Sequence, residues 1–119
     1  MSQGNNNGPA GLVVLWVSRD PEAAMNMAFM YGKNSKLKGW WEDVKLVVWG
    51  PSVQLLCEDA ALQEELAAMG QAGVELLACR ACADRYGATA RLEEMGIDVI
   101  YMGQPMTKFL KEGWAVITV

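Results

Sequence analysis

Three cysteines, Cys57, Cys79 and Cys82, are the side chains best suited to covalent chemistry in this chain of 119 residues, which has no histidine. Without histidine, Ser-His-Asp and Cys-His nucleophile pairs are excluded. A thiol of low pKa needs no such base, because its thiolate is already the nucleophile. The commonest metal ligand is missing as well, and three cysteines fall short of the four Cys/His ligands of a structural zinc site. Neither a metal nor a cofactor is expected.

Position separates the three thiols. Cys79 directly follows the apolar run Val74 to Ala78 and precedes sequence of helical character. It is expected at, or just before, the N-terminus of a helix, where backbone amides favour a thiolate and the adjacent Arg80 adds positive charge. Cys82 lies three residues on, within reach of Cys79 if both share a helical turn. C-x-x-C after a strand is compatible with a redox pair, although Arg80-Ala81 replaces the Gly-Pro of the thioredoxin pattern. The alternative is that these thiols act as small apolar side chains, cysteine being among the most buried residue types. Cys57, after Leu55-Leu56, reads that way. Asp20 reads as a helix cap and not as an acid catalyst.

The elements that must position these residues follow from patterning. Five short runs rich in β-branched or aromatic residues predict strands at Leu12 to Val17, Val44 to Trp49, Val74 to Ala78, Asp98 to Tyr101 and Trp114 to Val119. Between them, Asp20-Pro21-Glu22 predicts a helix start. Ala24, Met27, Ala28 and Tyr31 fall on one face of that helix, and Gly32 supplies its stop. Lys33 to Asp43, with Trp40-Trp41, reads as a surface loop whose tryptophans pack on the domain or on a neighbouring subunit. A second helix is expected from Asp59 to Gln71, with Leu62, Leu66 and Met69 inward and Gly73 ending the segment. A helix after Cys79 breaks near Gly87 and resumes to Met95. The last begins near Pro105, turns Met106, Phe109 and Leu110 to one face and ends at Gly113. Met25, Met27 and Met30 read as core or subunit interface.

Alternation of strand and helix predicts an α/β domain with a mainly parallel sheet, helices on both faces and right-handed crossovers. Ligands bind beyond the carboxyl ends of such strands. Arg80, Gly50 and Ser52 stand there and are candidate binding residues beside Cys79 and Cys82. No G-x-G-x-x-G or Walker A sequence supports a nucleotide site.

Bulk properties narrow the partners. With 14 acidic and 10 basic residues the net charge is -4, without the basic stripe that nucleic-acid binding requires. No apolar run has the length needed to insert across a membrane. Met1 to Gly11 is Gly/Asn-rich, with no charged n-region or apolar h-region. Residues 1–10 are expected to be a disordered tail ahead of a single domain over 11–119, with no secretory signal. The odd cysteine count points to a reducing, cytoplasmic setting.

The run GVELLACRACADRYGA, Gly73 to Ala88, resembles the strand-cysteine-helix segment of the DsrE/DsrF-like family. KLVVWGPSVQLL, Lys45 to Leu56, resembles that family's second strand and following loop, and GQPMTKFLKEGWAVITV, Gly103 to Val119, its last helix and strand. The likeness implies a three-layer α/β/α domain with a five-stranded parallel sheet, assembled as trimers or hexamers. It implies a place in a sulfur relay, with sulfur-donor and sulfur-acceptor proteins as partners. Sulfane sulfur would be carried as a persulfide on the cysteine after the third strand, a role that maps onto Cys79. Cys82 departs from the pattern and allows a disulfide or a resolving step. Trp40-Trp41 also departs from it. Sulfur transfer or thiol redox chemistry is therefore the leading expectation. A non-catalytic oligomeric binding or assembly subunit is the alternative, and a small-molecule binder at the strand ends is a third.

Overall fold

The five apolar runs pair side by side into a single parallel sheet. The structure is a computed structural model that describes residues 8–119, so residues 1–7 of the expected tail lie outside the described residues. The strands are β1 (Leu12–Trp16), β2 (Val44–Val48), β3 (Glu75–Cys79), β4 (Asp98–Ile100) and β5 (Ala115–Thr118). They lie in the order β4-β3-β2-β1-β5, every neighbouring pair parallel. Each strand falls within about a residue of its predicted run, because a continuous β-branched stretch bounded by caps and glycines has few other ways to bury itself.

Register divides the strand residues between two faces. Leu12 pairs with Val44 and Ala115, Leu46 with Leu76, and Ala78 with Val99. These side chains join one apolar cluster. Val13, Val47, Leu77 and Cys79 point the other way into a second, smaller cluster. Successive strand side chains alternate in direction, so the two clusters are the two sides of one sheet.

Helices are shared unequally between these sides. Segment α1 spans 21–37 and is built from Pro21–Ala23, a π-helical stretch Ala24–Phe29 and Met30–Leu37. With α2 (Ser52–Glu58), α3 (Ala60–Ala72), α4 (Arg80–Arg85) and α5 (Thr89–Glu94), it packs on the larger cluster. Among the described residues only α6 (Gly103–Lys111) covers the other side, through Met106 and Phe109. The result is the expected α/β/α layering with one thin layer.

Side-chain caps fix the starts of α1 and α3. The Asp20 carboxylate accepts from the amides of Glu22 and Ala23 at 3.0 and 3.2 Å, and that of Asp59 accepts from Leu62 N–H at 3.0 Å. Gly73 closes α3 at φ 104°, a left-handed geometry that glycine adopts without strain.

Five expectations are corrected. Gly32 does not stop α1: it is buried within the helix, where a Cβ would stand 2.9 Å from Met69 Cε. This glycine allows a close approach of α1 and α3. The loop predicted from Lys33 is consequently helical to Leu37. Met27 is 42 % exposed, not inward, because the wider π turn brings Ala24, Ala28 and Phe29 to the core together. Leu110 is 57 % exposed although Met106 beside it is buried, while Met30, read as core or subunit interface, lies at the surface of the single chain. Finally, Ser52–Glu58 is a helix that burial of Val53, Leu55 and Leu56 makes worthwhile. The paired tryptophans diverge: Trp41 donates to Tyr31 Oη at 3.3 Å and packs on the core, while Trp40 is 57 % exposed.

Candidate functional site

Cys79 is the last residue of β3 and the N-cap of α4. Strand alternation turns its side chain toward the smaller cluster, among Val13, Val47, Leu77, Met102 and Met106, where it is 4 % exposed. Its side chain makes no capping hydrogen bond to the amides of α4. The amide donation expected for this thiol falls elsewhere.

Cys82, one turn into α4, is half-buried and packs against both clusters, at the end of the sheet where they meet. Gly50 N–H donates to Cys82 Sγ at 3.3 Å. Gly50 stands just past β2 with φ 77°, a conformation that favours glycine. The turn it opens is pinned by Ser52, whose buried hydroxyl lies 2.6 Å from the Trp16 carbonyl and 3.1 Å from that of Trp49. Ser52 thus ties the ends of β1 and β2 together and holds the Gly50 amide beneath Cys82.

The electrostatics of Cys82 have three leading causes. Burial pushes its pKa up, contact with the Cys79 thiol pushes it further up, and the Gly50 amide pulls it down. Arg85 lowers it slightly. Burial also raises Cys57, on α2, against the lowering effect of Arg91.

Of the residues singled out from the sequence, Cys79, Cys82 and Gly50 come together. Ser52 supports them from behind. Arg80 points away: its guanidinium donates to the Val99 carbonyl at 3.4 Å and meets Glu93 at 3.5 Å, joining α4 to β4 and α5. Sequence reasoning named Gly50 by position but missed its amide as a thiol ligand. The signal was present in Gly50-Pro51-Ser52, a turn that ends a strand and exposes its first N–H. Met102 and Met106 enclose Cys79 from the α6 side; Met106 was read only as part of a helix face.

Chemically, the site is a pair of thiols, one sheltered and one more open, with a backbone amide on the open one. Among the described residues no three His, Cys, Asp or Glu side chains converge as a metal site. No helix among them is long and apolar enough to cross a membrane.

Comparison with solved structures gives the same architecture. A conserved protein of unknown function from Bacteroides thetaiotaomicron, BT1422, is 36 % identical, with a TM-score of 0.88 over 91 % of this chain and 93 % of that one. The ychN protein of E. coli superposes with a TM-score of 0.71 at 14 % identity, covering 91 % of this chain and 97 % of its own. The protein MTH1491 of unknown function from Methanobacterium thermoautotrophicum has the same score at 23 % identity, covering 91 % and 98 %. These last two likenesses concern the fold. A search of curated proteins finds no match. The DsrE/DsrF-like family model matches residues 13–119, a span that holds every strand and both thiols of the site. The chain belongs to the DsrE/DsrF-like family.

Proposed function

We propose that this protein carries sulfane sulfur in a cytoplasmic sulfur relay, as a persulfide on Cys79. The observation that carries the reading is the position of Cys79, at the carboxyl end of β3 in a DsrE/DsrF-like chain, a family likeness that implies sulfur relay. In an open parallel sheet that end is where ligands are met. A thiolate attacks the outer sulfur of a donor persulfide, R–S–SH. The S–S bond of the donor breaks, R–S⁻ leaves with the electron pair, and Cys79–S–SH forms. The reverse exchange hands the sulfur to an acceptor thiolate. The apolar wall of Val47, Leu77, Met102 and Met106 around Cys79 suits a cargo that must be kept from stray thiols.

The test is mass mapping of the intact chain after exposure to a persulfide donor and alkylation. Trypsin cuts after Arg80 and so separates Cys79 from Cys82. The expected result is a gain of about 32 Da, one sulfur atom, on the Cys79 peptide. Absence of that adduct on Cys79 overturns the reading.

The burial of Cys79 also favours a second reading, an assembly subunit with an inert thiol. Titration of thiols in the native and denatured chain separates the two: a Cys79 that labels only after denaturation, and never accepts sulfur, belongs to the second. Either reading is compatible with a homo-oligomer, a trimer or hexamer. Since α6 alone covers its side of the sheet, Leu15, Ile100 and Val116 stay half-exposed there. Strand β5 is an edge with no fully buried residue.

A further inference from the structure

The thiol that holds the cargo in this reading is not the thiol a partner protein meets first. Cys79 is 4 % exposed, whereas Cys82 is half-buried, more open, and packed against the same apolar cluster. Cys82 is also the thiol with a donor already in place, the Gly50 amide at 3.3 Å. That turn is held by Ser52, fully buried between the carbonyls of Trp16 and Trp49. A half-buried thiol supplied with a fixed N–H is more than a core filler: the N–H stabilises negative charge on sulfur whenever that sulfur becomes a thiolate.

We propose that Cys82 is the port of the site, taking sulfane sulfur from an incoming persulfide and passing it to Cys79. This rests on the sulfur-carrier reading and adds a second station to it. In the first step Cys82–S⁻ attacks the outer sulfur of R–S–SH, giving Cys82–S–SH and R–S⁻. In the second, Cys79–S⁻ attacks the outer sulfur of Cys82–S–SH. The new S–S bond forms on Cys79 Sγ, the old one breaks, and its electron pair leaves on Cys82 Sγ. The hydrogen stays on the transferred sulfur, so Cys79–S–SH and Cys82–S⁻ result with no net oxidation. The leaving Cys82 thiolate is the group that Gly50 N–H holds. Export runs the same exchanges backwards. Attack on the inner sulfur instead would expel HS⁻ and leave a Cys79–Cys82 disulfide, a different device.

Loading of the full chain with glutathione persulfide, followed in time by peptide mapping, tests this. In the unaltered chain the adduct accumulates on Cys79. In C79S it is trapped on Cys82. In C82S, loading of Cys79 slows by about ten-fold or more, since the sheltered thiol must be reached directly. C82A, which keeps the small side chain without a hydroxyl, shows the same slowing, and matching circular dichroism of both variants with the parent ties it to lost chemistry. If Cys79 loads at the parental rate in C82S and C82A, the port is overturned while the carrier reading stands. Release of one sulfide per chain with a disulfide joining the two peptides overturns it in favour of the inner-sulfur attack. If Cys79 never loads in the unaltered chain, both ideas fall.

Discussion

At the scale of single residues, the site works through the contrast between two neighbouring thiols. Burial, the strongest influence, and the neighbouring Cys79 thiol push Cys82 above the ordinary thiol value of about 8.5, opposed by the Gly50 amide and, more weakly, by Arg85. The free port is therefore mostly protonated at neutral pH. Iodoacetamide is expected to label Cys82 more slowly at pH 7 than an unhindered thiol, with the rate climbing as pH passes the raised pKa. Replacing Cys79 by alanine removes one raising influence, so C79A should label faster at pH 7 once its fold is verified. An unchanged or slower rate in C79A contradicts this account of the pair. The sign carries over to stability. A raised thiol pKa means that the folded state holds its proton longer than the unfolded state. The stability this contributes is complete below the unfolded thiol pKa and is lost as pH rises through the folded one. Melting temperatures measured from neutral to alkaline pH should fall, and less steeply in C82A than in the parent.

At the scale of elements, two of the helices that pack on the sheet have starts set by side-chain caps. Asp59 is the clearest case, because it ends α2 and begins α3 at one residue, with φ -114° and its carboxylate on Leu62 N–H. Asp59→Ala is expected to cost about 1 kcal/mol. A melting midpoint lowered by roughly 3–5 °C is the corresponding readout, and a midpoint unchanged in D59A removes the cap from the account. Caps of this kind, together with β-branched runs, are the features that sequence states most openly. That is why β1 to β5, the start of α1 at Asp20 and the whole of α3 were legible. Gly32 was not, because a glycine that ends a helix and a glycine that lets another helix close on it look alike along the chain. Only the approach of Met69 distinguishes them. The π turn was hidden for a related reason: Ala24, Met27, Ala28 and Tyr31 fit a regular helical face, and the choice of Phe29 over Met27 as core is made by tertiary packing. Helix α2 is only seven residues and follows the Gly50-Pro51 turn at once, so its segment reads as the loop after β2. At the site, the junction at Cys79 and the spacing to Cys82 were visible. The direction of Arg80 was not, since Glu93 and the Val99 carbonyl come to it through folding from 13 and 19 residues away.

At the scale of the molecule, the unequal layering of the sheet sets the remaining question of assembly. Among the described residues five helical segments cover one side, while α6 alone covers the side that holds Cys79. On that thin side Lys45 pairs with Glu75 and lies 5.6 Å from the centre of the Phe109 ring and 5.2 Å from that of Trp114. Its stem covers apolar surface while its charge is met by a carboxylate and two π faces. Val116, on edge strand β5, has no such cover and is half-exposed. An exposed parallel edge beside half-covered apolar residues is a surface that chains manage by covering it. A second copy of this chain, seated against β5 and the open flank of α6, would do so. The substitution that discriminates is Val116→Asp. In a lone chain a carboxylate at this half-exposed place keeps much of its water, so the fold should survive. Between copies the same carboxylate is stripped of water without a partner, which is strongly unfavourable. Light scattering coupled to size exclusion at micromolar concentration is expected to give a trimer or hexamer for the parent and a folded monomer for V116D. A monomeric parent overturns the assembly. An oligomer that persists in V116D moves the contact away from β5.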